Sequence, residues 1–154
     1  MLMETVNAMA NSYTYPARFR QVEQEAYLVD FPDLPEARTF GNDEAEAIAA
    51  ASDCLREALR SRMRDQEEIP SPSALQSGWR LIAPPAELAA KVAVYEAFRR
   101  KGDTRKALAD RLGVAEGEVR RVLDPNHRTK LGRLDEVAHA LGGRLVVTFV
   151  TDPA

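Results

Sequence analysis

The stretch TRKALADRLGVAEGEVRRVLD, Thr104–Asp124, decides how the second half of the chain folds. Ala107, Leu108 and Leu112 fall at i, i+1 and i+5, which puts them on one face of a short helix. Gly113 ends that segment, as a residue free to take a positive φ does at a helix C-terminus. After Val114 and Ala115, a second segment carries Val119, Val122 and Leu123 at i, i+3 and i+4, again the helical period. Two short helices joined by a glycine-containing turn make a helix-turn-helix pattern. The second helix exposes Arg120 and Arg121, and the loop after it adds His127, Arg128 and Lys130. This half of the chain is therefore expected to read DNA.

Working outward, Leu88, Val92, Tyr95 and Phe98 or Arg99 predict a preceding helix that ends near Lys101-Gly102. Leu131, Leu134, Val137, Ala138 and Leu141 predict a following one, closed by Gly142-Gly143. The tail Arg144–Val150 (RLVVTFV) is β-branched and aromatic and reads as a strand. A lone strand needs a partner ladder, either the sheet of the first half or the same strand in a second copy. The second is favoured, because helix-turn-helix proteins commonly bind as symmetric dimers. Leu145, Val147 and Phe149 are then the candidate dimer contacts, with a tetramer as a further assembly.

The first half has a different pattern. Tyr13–Phe19 (YTYPARF) reads as a strand, with Pro16 favouring a sheet edge. Gln21–Glu25 connects it to Ala26–Phe31, which sets Tyr27, Val29 and Phe31 on one face and Leu28 and Asp30 on the other. Pro32-Asp33-Leu34-Pro35 forces a turn, and a third strand follows over about Ala37–Phe40. Asp43 and Glu46 have capping-box spacing at the start of a long helix. Ile48, Ala51, Leu55, Ala58, Leu59 and Met63 give that helix one apolar face, which must lie on a sheet. Arg56, Arg60, Arg62 and Arg64 fall mostly on its outer side. Ile69-Pro70-Ser71-Pro72-Ser73 stops the helix, and Trp79–Ile82 can return as another strand. The fold class is α+β, a β-β-β-α-β layer followed by an all-α module. The expected divisions are a leader over 1–12, a first domain over 13–85 and a second over 86–154, with the boundary at Pro84-Pro85.

Charge supports two modules. Met1–Pro85 holds 8 Lys/Arg against 14 Asp/Glu, net −6, whereas Ala86–Ala154 holds 13 against 10, net +3. An acidic front suits a basic partner and a basic back suits phosphates. No apolar run approaches the roughly 20 residues of a membrane span. The opening MLMETVNAMANS lacks a signal-peptide pattern, and translation could begin at a later Met. Cys54 is the single cysteine, which excludes an internal disulfide and reads as a small buried residue. A cytoplasmic protein is expected.

Tyr27–Gly41 (YLVDFPDLPEARTFG), the capped helix with its Glu-Ala-Glu-Ala start and the Ile-Pro-Ser-Pro-Ser exit together resemble the HicB family of antitoxins. Leu-Gly-Val, Asp-Pro-Asn-His-Arg-Thr-Lys-Leu and Leu-Gly-Gly-Arg-Leu-Val-Val look like the helix-turn-helix version of that family. The resemblance covers about Tyr13–Val150. It implies a partial ribonuclease-H-like first module that holds a small toxin, HicA, a ribonuclease that degrades mRNA and has a double-stranded-RNA-binding-domain-like fold. It also implies a C-terminal module that represses the shared operon by binding operator DNA.

No catalysis and no cofactor are expected. Asp30 and Asp33, with Glu23 or Asp43, could be imagined as Mg²⁺ ligands, but Asp30 and Asp33 have opposite parity across a strand end and a proline turn. Neither His127 nor His139 has neighbours suited to a metal. The candidate toxin contacts are Tyr27, Phe31, Leu34 and Phe40, with Asp30, Asp33 and Glu36 steering a basic toxin. The candidate DNA contacts are Glu116, Gly117, Glu118, Arg120 and Arg121 on the second helix, and Thr104, Arg105, Arg128 and Lys130 at phosphates. Glu116-Gly117-Glu118 departs from the Ser, Gln or Thr common at such helix starts. Either one Glu accepts a hydrogen bond from cytosine, or the helix start sits back from the groove. The competing function is a stand-alone repressor whose first domain senses a small ligand.

Overall fold

A computed structural model describes residues 11–151, so most of the expected leader lies outside the described residues. Strands β1 (Tyr15–Gln21), β2 (Tyr27–Phe31), β3 (Leu34–Gly41) and β4 (Arg80–Ile82) form one antiparallel sheet in the order β3-β2-β1-β4. Helix α1 (Glu44–Arg64) crosses one face of it. Four helices follow: α2 (Ala86–Lys101), α3 (Arg105–Leu112), α4 (Glu116–Leu123) and α5 (Leu131–Ala140). The chain is thus α+β with its strands first and its helical module last.

Period-2 alternation sets the sheet as expected. Val29 and Phe31 are buried under α1, while Leu28 and Asp30 face the other side. The strand edge expected for Pro16 is corrected: β1 is an inner strand, pairing with β4 through Tyr15–Ala17 and with β2 from Arg18 onward. Pro16 precedes the β2 ladder, so its missing N–H takes no bond from that ladder. β1 also begins two residues later than expected. β3 runs longer, because Pro32-Asp33 alone makes the turn and Leu34 already pairs with Phe31 across a register shift.

Asp43 caps α1 by accepting from the Glu46 backbone N–H at 2.8 Å, and Glu46 reaches back to the Asn42 N–H at 3.0 Å. The first core residue of α1 is Ala47, in place of the expected Ile48, which is only half-buried. The reason is close approach: a Cβ on Gly41 would lie 2.3 Å from the Ala47 backbone nitrogen. The first turn of α1 presses on β3 where neither side has room for a larger group.

In the helical module, Leu108, Ala109, Val119, Val122, Leu134, Val137 and Ala138 form a core. Ala107 and Leu131, expected inside, are exposed, and Ala109 takes the inner position. Gly113 caps α3 in the left-handed region at φ 67° and opens the short connection to α4. The strand expected over 144–150 is absent from the single chain. Those residues form no regular element and leave Val147 78% and Phe149 91% exposed. No strand among the described residues pairs with them, and backbone without a ladder does not form a strand.

Replacing Gly41 with Ala forces the α1 first turn off the sheet. We expect a loss of about 3 kcal/mol of stability, measured by urea denaturation. An unchanged midpoint would refute the close packing at this position.

Candidate functional site

The helical module brings four of its basic side chains and a histidine to one place. Arg121 on α4, His127, Arg128 and Lys130 on the loop after it, and Arg133 on α5 line an open cleft of about 190 Å³. The loop is built by its own sequence: the Asp124 carboxylate accepts from the Asn126 N–H at 2.9 Å, and buried Thr129 lies 3.4 Å from His127. Lys130 stands at the N-cap of α5, and Arg128 is 92% exposed with only a loose 3.7 Å pairing to Glu87. Arg120 is exposed on α4.

Glu118 lies within this cationic set but is not a free negative charge. Arg133 donates to it at 3.1 Å and Arg121 approaches at 3.9 Å. Glu116 and Glu118 both occupy the first turn of α4, where the helix dipole favours carboxylates and no side chain caps the backbone. Gly117 has no close neighbour that would exclude a side chain. Thr104 caps α3, its hydroxyl accepting from the Ala107 N–H at 3.0 Å, and Arg105 follows half-buried. Arg133 was not among the expected contacts; its signal was the basic position one turn beyond Lys130.

A second finding is Lys91 on α2. It is 3% exposed, and its ammonium donates to the backbone carbonyls of Arg121, at 3.1 Å, and of Asp124. A cation there complements the negative end of the α4 dipole. Burial pulls its pKa from the ordinary 10.5 to about 8, against the opposing pull of Asp124 and Glu87. The sequence clue is a lone Lys inside Ala89-Ala90-Lys91-Val92-Ala93-Val94.

On the sheet layer the expected partner residues separate into two groups. Phe31 and Leu34 are 1% and 0% exposed and belong to the core, which corrects their assignment as contact residues. Tyr27 packs half-buried against that core. The face away from α1 is open: Phe40, 49% exposed, stands opposite Leu28, 39% exposed, with Arg20 alongside. Strand parity alone already places Leu28 on this open face.

The three steering carboxylates are occupied within the chain. Arg18 grips Asp30 with two hydrogen bonds of 2.8 and 3.0 Å. Asp33 accepts from the Ser73 N–H at 3.0 Å and from its hydroxyl. Glu36 takes two hydrogen bonds from Arg62, which hold its carboxyl below the usual range. Arg62 is thereby moved from the expected solvated face of α1 to a bridge onto β3. No group of three or more metal-ligating side chains occurs among the described residues. No helix of the described residues is long and apolar enough to cross a membrane.

Comparison with known proteins places these two surfaces in context. Residues 14–93 match a family described as the HicB_like antitoxin of bacterial toxin-antitoxin systems. Antitoxin HicB of Escherichia coli K12 is 37% identical over 136 residues, 88% of this chain and 99% of that protein. Antitoxin HicB 1 of Photorhabdus laumondii is 37% identical over 135 residues, 88% of this chain and 86% of the relative. Antitoxin HicB of Pseudomonas fluorescens is 30% identical over 117 residues, 75% and 80% of the two chains.

Lys91 gives the fold a pH signature. Between about 8 and 10.5 the folded protein holds fewer protons at this site than the unfolded chain, so its contribution to stability rises with pH across that window. Tyr13, Tyr95 and Cys54, all raised by burial, act in the opposite sense. They are common to wild type and Lys91→Met, so the difference between the two isolates Lys91. Urea midpoints should show wild type gaining on the variant across that range; parallel pH profiles would remove the buried ammonium.

Proposed function

The chain belongs to the HicB-like family of antitoxins, and on that premise we propose that it neutralises a HicA-type ribonuclease toxin and represses its own operon. The observation that carries the reading is similarity running through both the sheet layer and the helical module, with almost the whole length of the E. coli antitoxin covered. The small-ligand-sensing repressor has no comparable support. The antitoxin itself needs no catalytic group, metal or cofactor: it acts by covering another protein and by occupying DNA.

The toxin is proposed to dock on the open sheet face. Leu28, Phe40 and Leu81, each at least 39% exposed, supply apolar contact there. Glu23 and Glu25, on the exposed turn between β1 and β2, offer negative charge to a basic partner. Asp30, Asp33 and Glu36 keep a supporting role, since each already holds a neighbour in place. Phe40→Asp combined with Leu28→Asp should abolish rescue of growth when the toxin is co-expressed, with the antitoxin still folded by circular dichroism. Full rescue by the double variant would move the toxin to another surface.

Operator DNA is proposed to meet α4 and the cationic cleft. Arg120 and Arg121 face the major groove; Thr104, Arg105, Arg128 and Lys130, joined by Arg133, meet phosphates. Arg120→Ala should weaken operator binding by about 1–3 kcal/mol and non-specific binding by less. Equal losses in gel-shift titrations would make Arg120 a phosphate contact instead.

The exposed tail is proposed to pair with its copy in a second chain. Leu145 is anchored, its N–H donating to Asp135 at 3.1 Å, while Val147 and Phe149 project beyond it. Pairing would supply the missing ladder and bury the apolar side chains, and a two-fold dimer would match a palindromic operator. Val147→Asp with Phe149→Asp should halve the mass measured by light scattering. A variant that keeps the wild-type mass would refute tail pairing.

A further inference from the structure

Lys91 stands apart from both partner surfaces, yet its bonds reach the framework of one of them. Its ammonium is bound to the carbonyl of Arg121, in the last turn of α4, and to that of Asp124, the residue that ends the helix. The Asp124 carbonyl also accepts from the His127 N–H at 3.2 Å, and its carboxylate holds the Asn126 N–H at 2.9 Å. One buried group therefore fixes the end of α4 together with the origin of the loop carrying His127, Arg128 and Lys130.

Helix α2, which carries Lys91, is itself anchored in the sheet core. Leu88, Val92 and Tyr95 of α2 lie in the core under the sheet, and the Tyr95 hydroxyl donates to the Glu67 carbonyl at 2.7 Å. Leu123, adjacent to the clamp, packs against both cores. An apolar residue would fill this volume without desolvating a charge, so a buried ammonium specifies a geometry more than it adds stability.

We propose that Lys91 is a positioning residue that locks α4 and the 124–130 loop onto α2, presenting the DNA-contacting groups in one fixed pose relative to the sheet layer. The inference rests on the DNA-binding reading given above. Lys91 is too deeply buried to touch a phosphate itself, which separates it from the arginines of the cleft. Around it stand Glu87 on its own helix, Asp124 and Arg121 at the end of α4, and Arg128, which pairs with Glu87.

The test uses the full chain as wild type, Lys91→Met and Lys91→Gln, with duplex DNA from the region upstream of its own gene. Met matches the length of the Lys stem without its charge; Gln keeps a neutral donor and serves if the Met variant does not fold. Three measurements are made: affinity against salt, amide hydrogen exchange and thermal melting. The expected result is an affinity loss on the order of tenfold, an unchanged salt slope because no phosphate contact is removed, and faster exchange at residues 121–127 with the sheet still protected. A salt slope reduced by about one charge would make Lys91 a direct contact and overturn the proposal. Unchanged exchange at 121–127, or wild-type affinity despite faster exchange, would overturn it as well. If wild type does not bind the duplex, the DNA-binding reading falls, and exchange alone then decides whether Lys91 holds α4 and its loop.

Discussion

Helix α2 has to bury two faces at once, and the arrangement of the whole molecule follows from that. Leu88, Val92 and Tyr95 recur at i, i+4 and i+7 and enter the core under the sheet. Val94 and the partly buried Ala90, Ala97 and Phe98 lie on the opposite side and enter the core of the helical module. A helix apolar on both sides cannot stand in water, so neither module can leave it without exposing a core. The polar groups that remain inside are placed where backbone needs them. Lys91 serves the carbonyls at the end of α4, and Glu96 accepts from the Ile69 N–H at 3.2 Å. With Tyr15 and Tyr95 holding the carbonyls of Pro70 and Glu67, the exit loop of α1 becomes part of the same joint.

The distribution of charge by halves suggests a kind of partner for each half but says little about which side chains are free to meet it. Net charge counts every carboxylate alike. In the folded chain Asp30 is enclosed by Arg18 and Arg20, Glu36 by Arg62, and Asp33 by Ser73. The two ion pairs hold β1 to β2 and α1 to β3, and their fields largely cancel at a distance, whereas Asp33, bonded to a neutral serine, keeps its charge. On the proposed docking, steering falls to carboxylates with no ion pair among the described residues, among them Asp33 and, on an exposed turn, Glu23 and Glu25.

What could be read in advance depended on whether a pattern was local. Strand parity over Tyr27–Phe31, the Asp43 cap and the Gly113 stop are decided within a few residues, and each appears in the structure. Phe31 and Leu34 flank a proline turn, and their burial depends on α1, which arrives from outside that segment. Ala47 displaced Ile48 for a similar reason, since only the approach of Gly41 reveals how little room exists. Lys91 shows the same limit: its position inside an apolar run was visible, but its acceptors lie 30 and 33 residues away.

The Glu-Gly-Glu start of α4 posed a choice between a carboxylate that reads a base and a helix set back from the groove. The geometry offers a third solution. Glu118 is shared between Arg133 and Arg121, so its charge is balanced within the chain. The same contacts restrain two long cationic side chains that would otherwise lose rotamer freedom on binding. On the proposed DNA-binding reading, a carboxylate that alone would repel phosphates becomes, with its two arginines, a means of holding positive charge in place. A Cβ on Gly117, between the two acids, would lie 3.8 Å from the Arg121 Nη2, an ordinary contact, so packing within the chain does not demand its small size.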